Sequence, residues 1–227
     1  MITNEILSNV LLHCGEAKDY LYKVEEYINN DMFNVIEEIG SDSIVIANEN
    51  EKVKEVLDQI DLVIPGDAAI LEQLDLATHS KIKELQKFEF FHEAMKRIIR
   101  NQKTVYLFTV QESELEVYRS YIEQQYGDQL QIVGTFSVES AAEDLERIVN
   151  DINILMPDVI FSTLGSPKQE LFLHHYRNMI NAKLWLGFEK DKIPANGKRV
   201  LGNPVTRFLA KQKIKAQSSK ESEDGNL

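Results

Sequence analysis

Between Phe161 and Leu171 the chain reads FSTLGSPKQEL, and the six residues Gly165 to Glu170 carry most of the chemistry its sequence offers. An apolar strand runs into a glycine turn, and Ser166 with Pro167 then opens a helix. Free N–H groups at a helix start, behind the carboxyl end of a strand, form an anion site suited to the diphosphate of a nucleotide sugar. Lys168 adds positive charge there, and Gln169 can hydrogen-bond a sugar or phosphate oxygen. The same residues also have a purely structural use. Ser166 followed three positions later by Gln169 is a capping box, Pro167 takes the favoured first helical position, and Gly165 permits the tight turn. Spacing alone leaves both uses open.

No other chemistry competes well. The five histidines, at 13, 79, 92, 174 and 175, lack the i, i+4 spacing of a helical metal site, and the adjacent His174 and His175 point to different sides of a helix. The single cysteine, Cys14, excludes an intramolecular disulfide and a cysteine-cluster metal site. Neither a metal nor a cofactor is expected. No dinucleotide, P-loop or nucleophile-elbow motif occurs. The formal charge of −12 argues against nucleic acid as a partner, because neutralising phosphates takes clustered Lys and Arg. The first ten residues, MITNEILSNV, lack the basic region of a signal peptide, and no apolar run approaches a membrane span. These features predict a cytoplasmic location.

Apolar runs and helical patterns alternate along the chain. Helical spacing surrounds Tyr20, Val24 and Ile28, SIVIAN (43–48) is a short β-branched run read as a strand, EKVKEVLDQI is helical, and DLVIPGD is a strand entering a turn. Helices are then expected in FEFFHEAMKRIIRNQ, ESELEVYRSYIEQQYG, ESAAEDLERIVNDI and PKQELFLHHYRNMI, and strands in TVYLFTV, LQIVGTF, DVIFSTL and KLWLGF. Strands apolar throughout and separated by helices indicate an α/β fold, a Rossmann-like and mainly parallel sheet with helices on both faces. Ligands of such sheets bind beyond the carboxyl ends of the strands. The expected organisation is one α/β domain over 1–196, a short basic C-terminal helix over 197–216 and a disordered tail over 217–227. Residues 198–215 hold six Lys or Arg and no acid, so they form either a surface drawn to anionic lipid, giving peripheral membrane contact, or a solvated terminal helix.

The region PDVIFSTLGSPKQELFLHHYRNMINAKLWLGF resembles the signature of the bacterial WecG/TagA/CpsF glycosyltransferases, in which a strand is followed by G-S-P-K-Q-E and then by a further strand. LDQIDLVIP, TVYLF and LQIVGT are similar to other strands of that family, so the resemblance covers roughly residues 1 to 210. It implies transfer of an N-acetylhexosamine, typically N-acetylmannosamine, from a UDP-sugar donor to a lipid-linked, polyprenyl-diphosphate sugar acceptor. The anomeric centre is inverted without an essential metal, in cell-wall or surface-polysaccharide synthesis. The implied catalytic residues are Asp67 and Gln169, and the implied substrate-binding residues are Asn48, Gly165, Ser166, Lys168, Glu170 and Gly187.

Several positions depart from the family pattern. Its P-D-G reads Pro65, Gly66, Asp67, which displaces the presumed base by one position; N-cap preference favours Asp67 as the cap of the helix that begins at Ala68 over its use as a base. Matching the family's Thr-x-Asn to SIVIAN puts Ile46 in place of the Thr and retains Asn48. The family's Arg falls at about Glu84, its paired glycines at Thr109 and Val110, and its H-H-G at Phe136, Ser137 and Val138. Of its last glycine-rich turn, Gly187 and Asp191 remain. Two function classes follow from these matches and departures: a divergent glycosyltransferase, or a non-catalytic relative serving as partner or regulator of a glycan-synthesis enzyme such as another glycosyltransferase.

Overall fold

The computed structural model describes residues 1–139 and 145–189. An antiparallel hairpin of β1 (Thr3–Leu7) and β2 (Val10–Cys14) comes first, turned by Ser8 and Asn9, both at positive φ as a two-residue hairpin turn requires. Helix α1 (Ala17–Tyr27) leads into β3 (Asn34–Ile39), α2 (Ser41–Glu49), α3 (Glu51–Leu57) and β4 (Leu62–Pro65). Three helices follow, α4 (Ala68–Gln73), α5 (His79–Lys87) and α6 (Glu89–Arg100). The chain then alternates through β5 (Thr104–Thr109), α7 (Glu112–Tyr126), β6 (Gln131–Ser137), α8 (Leu145–Leu155), β7 (Val159–Ser162), α9 (Lys168–Tyr176) and β8 (Leu184–Gly187). The six strands from β3 onward form one parallel sheet in the order β4-β3-β8-β7-β5-β6.

Successive strand residues point to opposite faces, and both faces are apolar because both are covered. Val35, Val63, Tyr106, Phe108, Ile160 and Trp185 join one core cluster with residues of α2, α3, α8 and α9. Ile36, Ile64, Leu107, Phe161 and Leu186 join the other with α1, α6 and α7. The hairpin packs with the first cluster through Leu7, Val10 and Leu12, and the Val63 N–H of edge strand β4 donates to His13 Nδ1 at 3.0 Å. The exposed ladder edge is thereby given a partner.

SIVIAN is not a strand but the middle of α2, and the strand before it is Asn34–Ile39. Two glutamates, Glu37 and Glu38, interrupt the apolar pattern of the true strand. Ile44, Val45 and Ala47 supply a buried helix side that mimics a β-branched run. Asn48 therefore stands in the last turn of a helix, exposed, its Nδ2 donating to the Ile44 carbonyl at 3.0 Å, while the strand ends at Glu38 and Ile39. Of the long amino-terminal stretch, only the part around Tyr20 and Val24 is helical. Asp191, the basic 197–216 stretch and the 217–227 tail lie outside the described residues.

Gly134 in β6 shows how closely the sheet is fitted. A Cβ there would lie 2.5 Å from the Tyr106 ring and 2.6 Å from Leu155. The Tyr106 side chain crosses this point and donates from its hydroxyl to Asp151 Oδ2 at 2.6 Å. Gly134→Ala is expected to cost ~1–3 kcal/mol as overpacking, read as a lower urea midpoint with an unchanged slope.

Candidate functional site

Chain direction divides twice across the sheet. After β3 the chain passes to α2 on one face, whereas the excursion from β4 reaches α6 on the other; after β7 it passes to α9, and after β5 to α7 on the opposite face. Such divisions open crevices beyond the strand ends. The Gly165–Glu170 turn leaves β7 at this edge. Gly165 adopts φ 66, and its carbonyl accepts the Gln169 N–H at 3.0 Å. The register places Glu37, Gly187 and Ser162 in one row across β3, β8 and β7, on the face that α9 covers.

The expected capping box is not formed. The cap position is Pro167, without a side-chain cap bond, and Gln169 turns inward instead. Its side chain is 2 % exposed, and Oε1 accepts from Trp185 Nε1 at 3.3 Å. It lies so closely over Gly187 that a Cβ there would be 2.4 Å from Nε2. Gly187 and Gln169, separate in sequence, are thus one packing unit. Lys168 projects into solvent, and Ser166 Oγ is buried without a hydrogen-bond partner.

Beside Gln169 the structure brings together two acids that no spacing or motif pairs. Glu37 of β3 is fully buried and Glu170 of α9 is 1 % exposed. Burial pushes the Glu37 carboxyl well above the ordinary range, and the Glu170 charge adds to the rise, while the Gln169 side chain opposes it. Burial likewise raises Glu170 to about 7, opposed by its own backbone N–H and the nearby Ser166 hydroxyl. Glu189 lies near enough to raise both. The only sequence signal for Glu37 was an acid in a segment otherwise fit for a buried strand.

Asp67 spans the gap between β3 and β4. It caps α4, Oδ1 accepting from the Ile70 N–H at 2.9 Å, while Oδ2 accepts from the Ser41 N–H and the Ser41 hydroxyl, both at 2.8 Å. The start of α2 also holds Glu189, whose Oε1 accepts from the Gly40 N–H at 3.1 Å and from the Ser43 hydroxyl. Two carboxylates of the chain therefore occupy the donors at this helix start, where a negative charge is favoured.

Glu84 has a similar use, its Oε2 accepting the Ala17 N–H of α1 at 3.1 Å. An acid at this position ties α5 to a helix start, a contact no arginine can make. It also borders a narrow cleft on the other face of the sheet, lined by Tyr20, Glu38, Ile64, Lys81 and Phe88 among others. The turns after β5 and β6 are closed by their own side chains: the Thr109 hydroxyl donates to the Gln111 carbonyl at 3.0 Å, and Ser137 Oγ to Glu112 Oε2 at 2.9 Å. Among the described residues no group of three or more His, Cys, Asp or Glu is arranged to hold a metal ion, and no helix is long and apolar enough to cross a membrane.

A family model described as "Glycosyl transferase WecG/TagA/CpsF family" matches residues 5–189. The chain is similar to an N-acetylglucosaminyldiphosphoundecaprenol N-acetyl-beta-D-mannosaminyltransferase of Bacillus subtilis (strain 168), 24% identical over 183 residues that cover 80% of this chain and 70% of that protein. It is also similar to a protein of the same name from Bacillus spizizenii, 21% identical over 155 residues, 67% of this chain and 59% of the relative.

Asp67 and Asn48 separate cleanly by stability. Asp67→Ala removes a cap and leaves the Ser41 donors unmatched, an expected loss of ~1–2 kcal/mol. Asn48→Ala, on an exposed helix position, is expected to stay within ~0.5 kcal/mol of the parent. Equilibrium unfolding in urea distinguishes the two.

Proposed function

Because the chain belongs to the WecG/TagA/CpsF glycosyltransferase family, we propose that it transfers an N-acetylhexosamine, N-acetylmannosamine in the first instance, from a UDP-sugar to a polyprenyl-diphosphate-linked sugar. The relatives' names supply the sugar and the class of acceptor. The Gly165–Glu170 turn is the donor-side site of this reading. What carries it is position: the turn leaves a central strand at the sheet's carboxyl edge, with a helix start facing outward and Lys168 in solvent beside it. Pro167 has no N–H and the Gln169 N–H donates to the Gly165 carbonyl, so Lys168 supplies the backbone donor as well as the charge that a diphosphate would meet. A narrow cleft lined by Tyr20, Glu38, Ile64, Lys81 and Phe88 among others lies near the same edge on the opposite face.

In this reading Asp67 is the base candidate, and its present bonds set the condition for that role. Oδ1 and Oδ2 are engaged by Ile70 and Ser41, so accepting a proton from an acceptor hydroxyl requires one of these contacts to be exchanged for substrate. Gln169, clamped between Trp185 and Gly187, shapes the turn from below and does not reach outward. Asn48, exposed on α2, stands outside the turn.

A panel of UDP-N-acetylhexosamines is expected to raise the melting temperature. At a hundredfold excess over Kd the gain is ~2.7 kcal/mol, or ~5–10 °C for a chain of this size. Lys168→Ala is expected to leave the unliganded melting temperature unchanged and to weaken UDP binding about tenfold, as loss of one charge-assisted contact. A panel with no member that shifts the melting temperature removes the donor site. Binding with no transfer to a polyprenyl-diphosphate sugar removes the transfer and keeps the site.

A further inference from the structure

Among the described residues, the buried side-chain oxygens without a hydrogen-bond partner are Glu37 Oε1 and Oε2, Thr163 Oγ1, Ser166 Oγ and Glu170 Oε2. Two of these residues, Ser166 and Glu170, belong to the Gly165–Glu170 turn, Thr163 precedes it directly, and Glu37 lies on β3. Orphaned polar atoms are rare in folded interiors, so their concentration at one place calls for a physical cause. Here the cause is a pair of acids that no cation among the described residues joins. Glu170 and Glu189 act on Glu37, and Glu189 acts on Glu170. Among the described residues the other groups here are neutral: Gln169, Trp185 and Gly187, Val63 on the adjoining strand, and the Ser166 and Thr163 hydroxyls. Lys168, on the same helix, faces solvent. Two like charges in such an enclosure cannot both persist.

We propose that Glu37 is a positioning residue for the Gly165–Glu170 turn, that the Glu37 and Glu170 carboxyls together carry one proton, and that this proton keeps Gln169 on Gly187 and the first turn of α9 seated. The seating goes beyond the donor reading, and only its consequence for UDP binding rests on that reading. With the proton present, the pair is a neutral acid beside a single carboxylate. With the proton lost, two buried carboxylates face Glu189 and drive the turn outward toward water.

The direction of the pH effect follows from the raised carboxyls. Between the ordinary glutamate value of 4.5 and about 7, the seated turn keeps a proton on Glu170 that an open chain has released. Its contribution is complete below the lower value and is lost as pH rises through the upper one. Glu37, shifted in the same direction, extends that window upward.

Amide exchange in the first turn of α9, corrected for intrinsic rates, tests this. Protection at Gln169 and Leu171, whose N–H groups donate to Gly165 and Pro167 carbonyls, is expected to fall by up to about tenfold per pH unit from about pH 5 to about pH 7. Glu37→Gln supplies a neutral donor at every pH and is expected to flatten this slope. Isotope-edited infrared spectra of the unmutated protein should show a protonated glutamic acid at about pH 6 that both Glu37→Gln and Glu170→Gln remove. A parent protein with no such band, or variants that keep the parent slope, overturns the proposal. The infrared spectrum of the parent decides even if Glu37→Gln fails to fold, and Glu170→Gln provides the second variant. UDP affinity should weaken over the same window in the parent and not in Glu37→Gln. A protein that binds no UDP but keeps the band and the slope supports the seating and fails the donor reading.

Discussion

The carboxyl edge of this sheet depends on one contact, the Gln169 carboxamide lying against Gly187. No side chain at 187 leaves room for it, and Trp185 holds its oxygen from the same strand. Because β8 sits between β3 and β7, this contact fixes α9 over the three central strands together. The Gly165–Glu170 turn, the buried acids and the entrance to the crevice all take their positions from it. Its polar atoms lie in a region of few hydrogen-bond partners, where each bond weighs more than it would at the surface.

An acidic chain has to place its carboxylates, and this one uses several to close helix starts. Asp67 and Glu189 occupy the donors that begin α2, Glu84 takes one at α1, and Glu114 accepts from the Val110 and Gln111 N–H groups before α7. Each arrangement lowers the electrostatic cost of a helix terminus. Asp67 and Glu84, two of the positions read in the sequence as departures from the family pattern, are among these acids. The outward start of α9 differs from the others, since no side-chain cap closes it.

Much of the fold was legible because it rests on local patterns. Val159 to Ser162 and Leu184 to Gly187 are short apolar runs between helical segments, and such runs have few stable arrangements other than a covered parallel sheet. The family motif at 165–170 was legible for the same reason, as a contiguous string. The amino-terminal third was misread where locality failed. SIVIAN has strand-like composition, but Asp67, distant in sequence, caps its start through Ser41. NVIEEI has an acid on each face, and only enclosure by α9 and by the other layer makes it a central strand.

Residue types and their order determined the α/β class, the strand and helix alternation from β4 onward, and the family. Tertiary structure decided the rest of the site. Whether Ser166 and Gln169 would close a capping box depended on Trp185 and Gly187, which draw the amide inward. Whether Asp67 would stand free depended on Ser41, and whether two glutamates 133 positions apart, Glu37 and Glu170, would share an enclosure depended on strand order. Periodicity records which side of an element is buried. It does not record which polar group that side will meet, because the partner arrives on another element through the topology of the sheet.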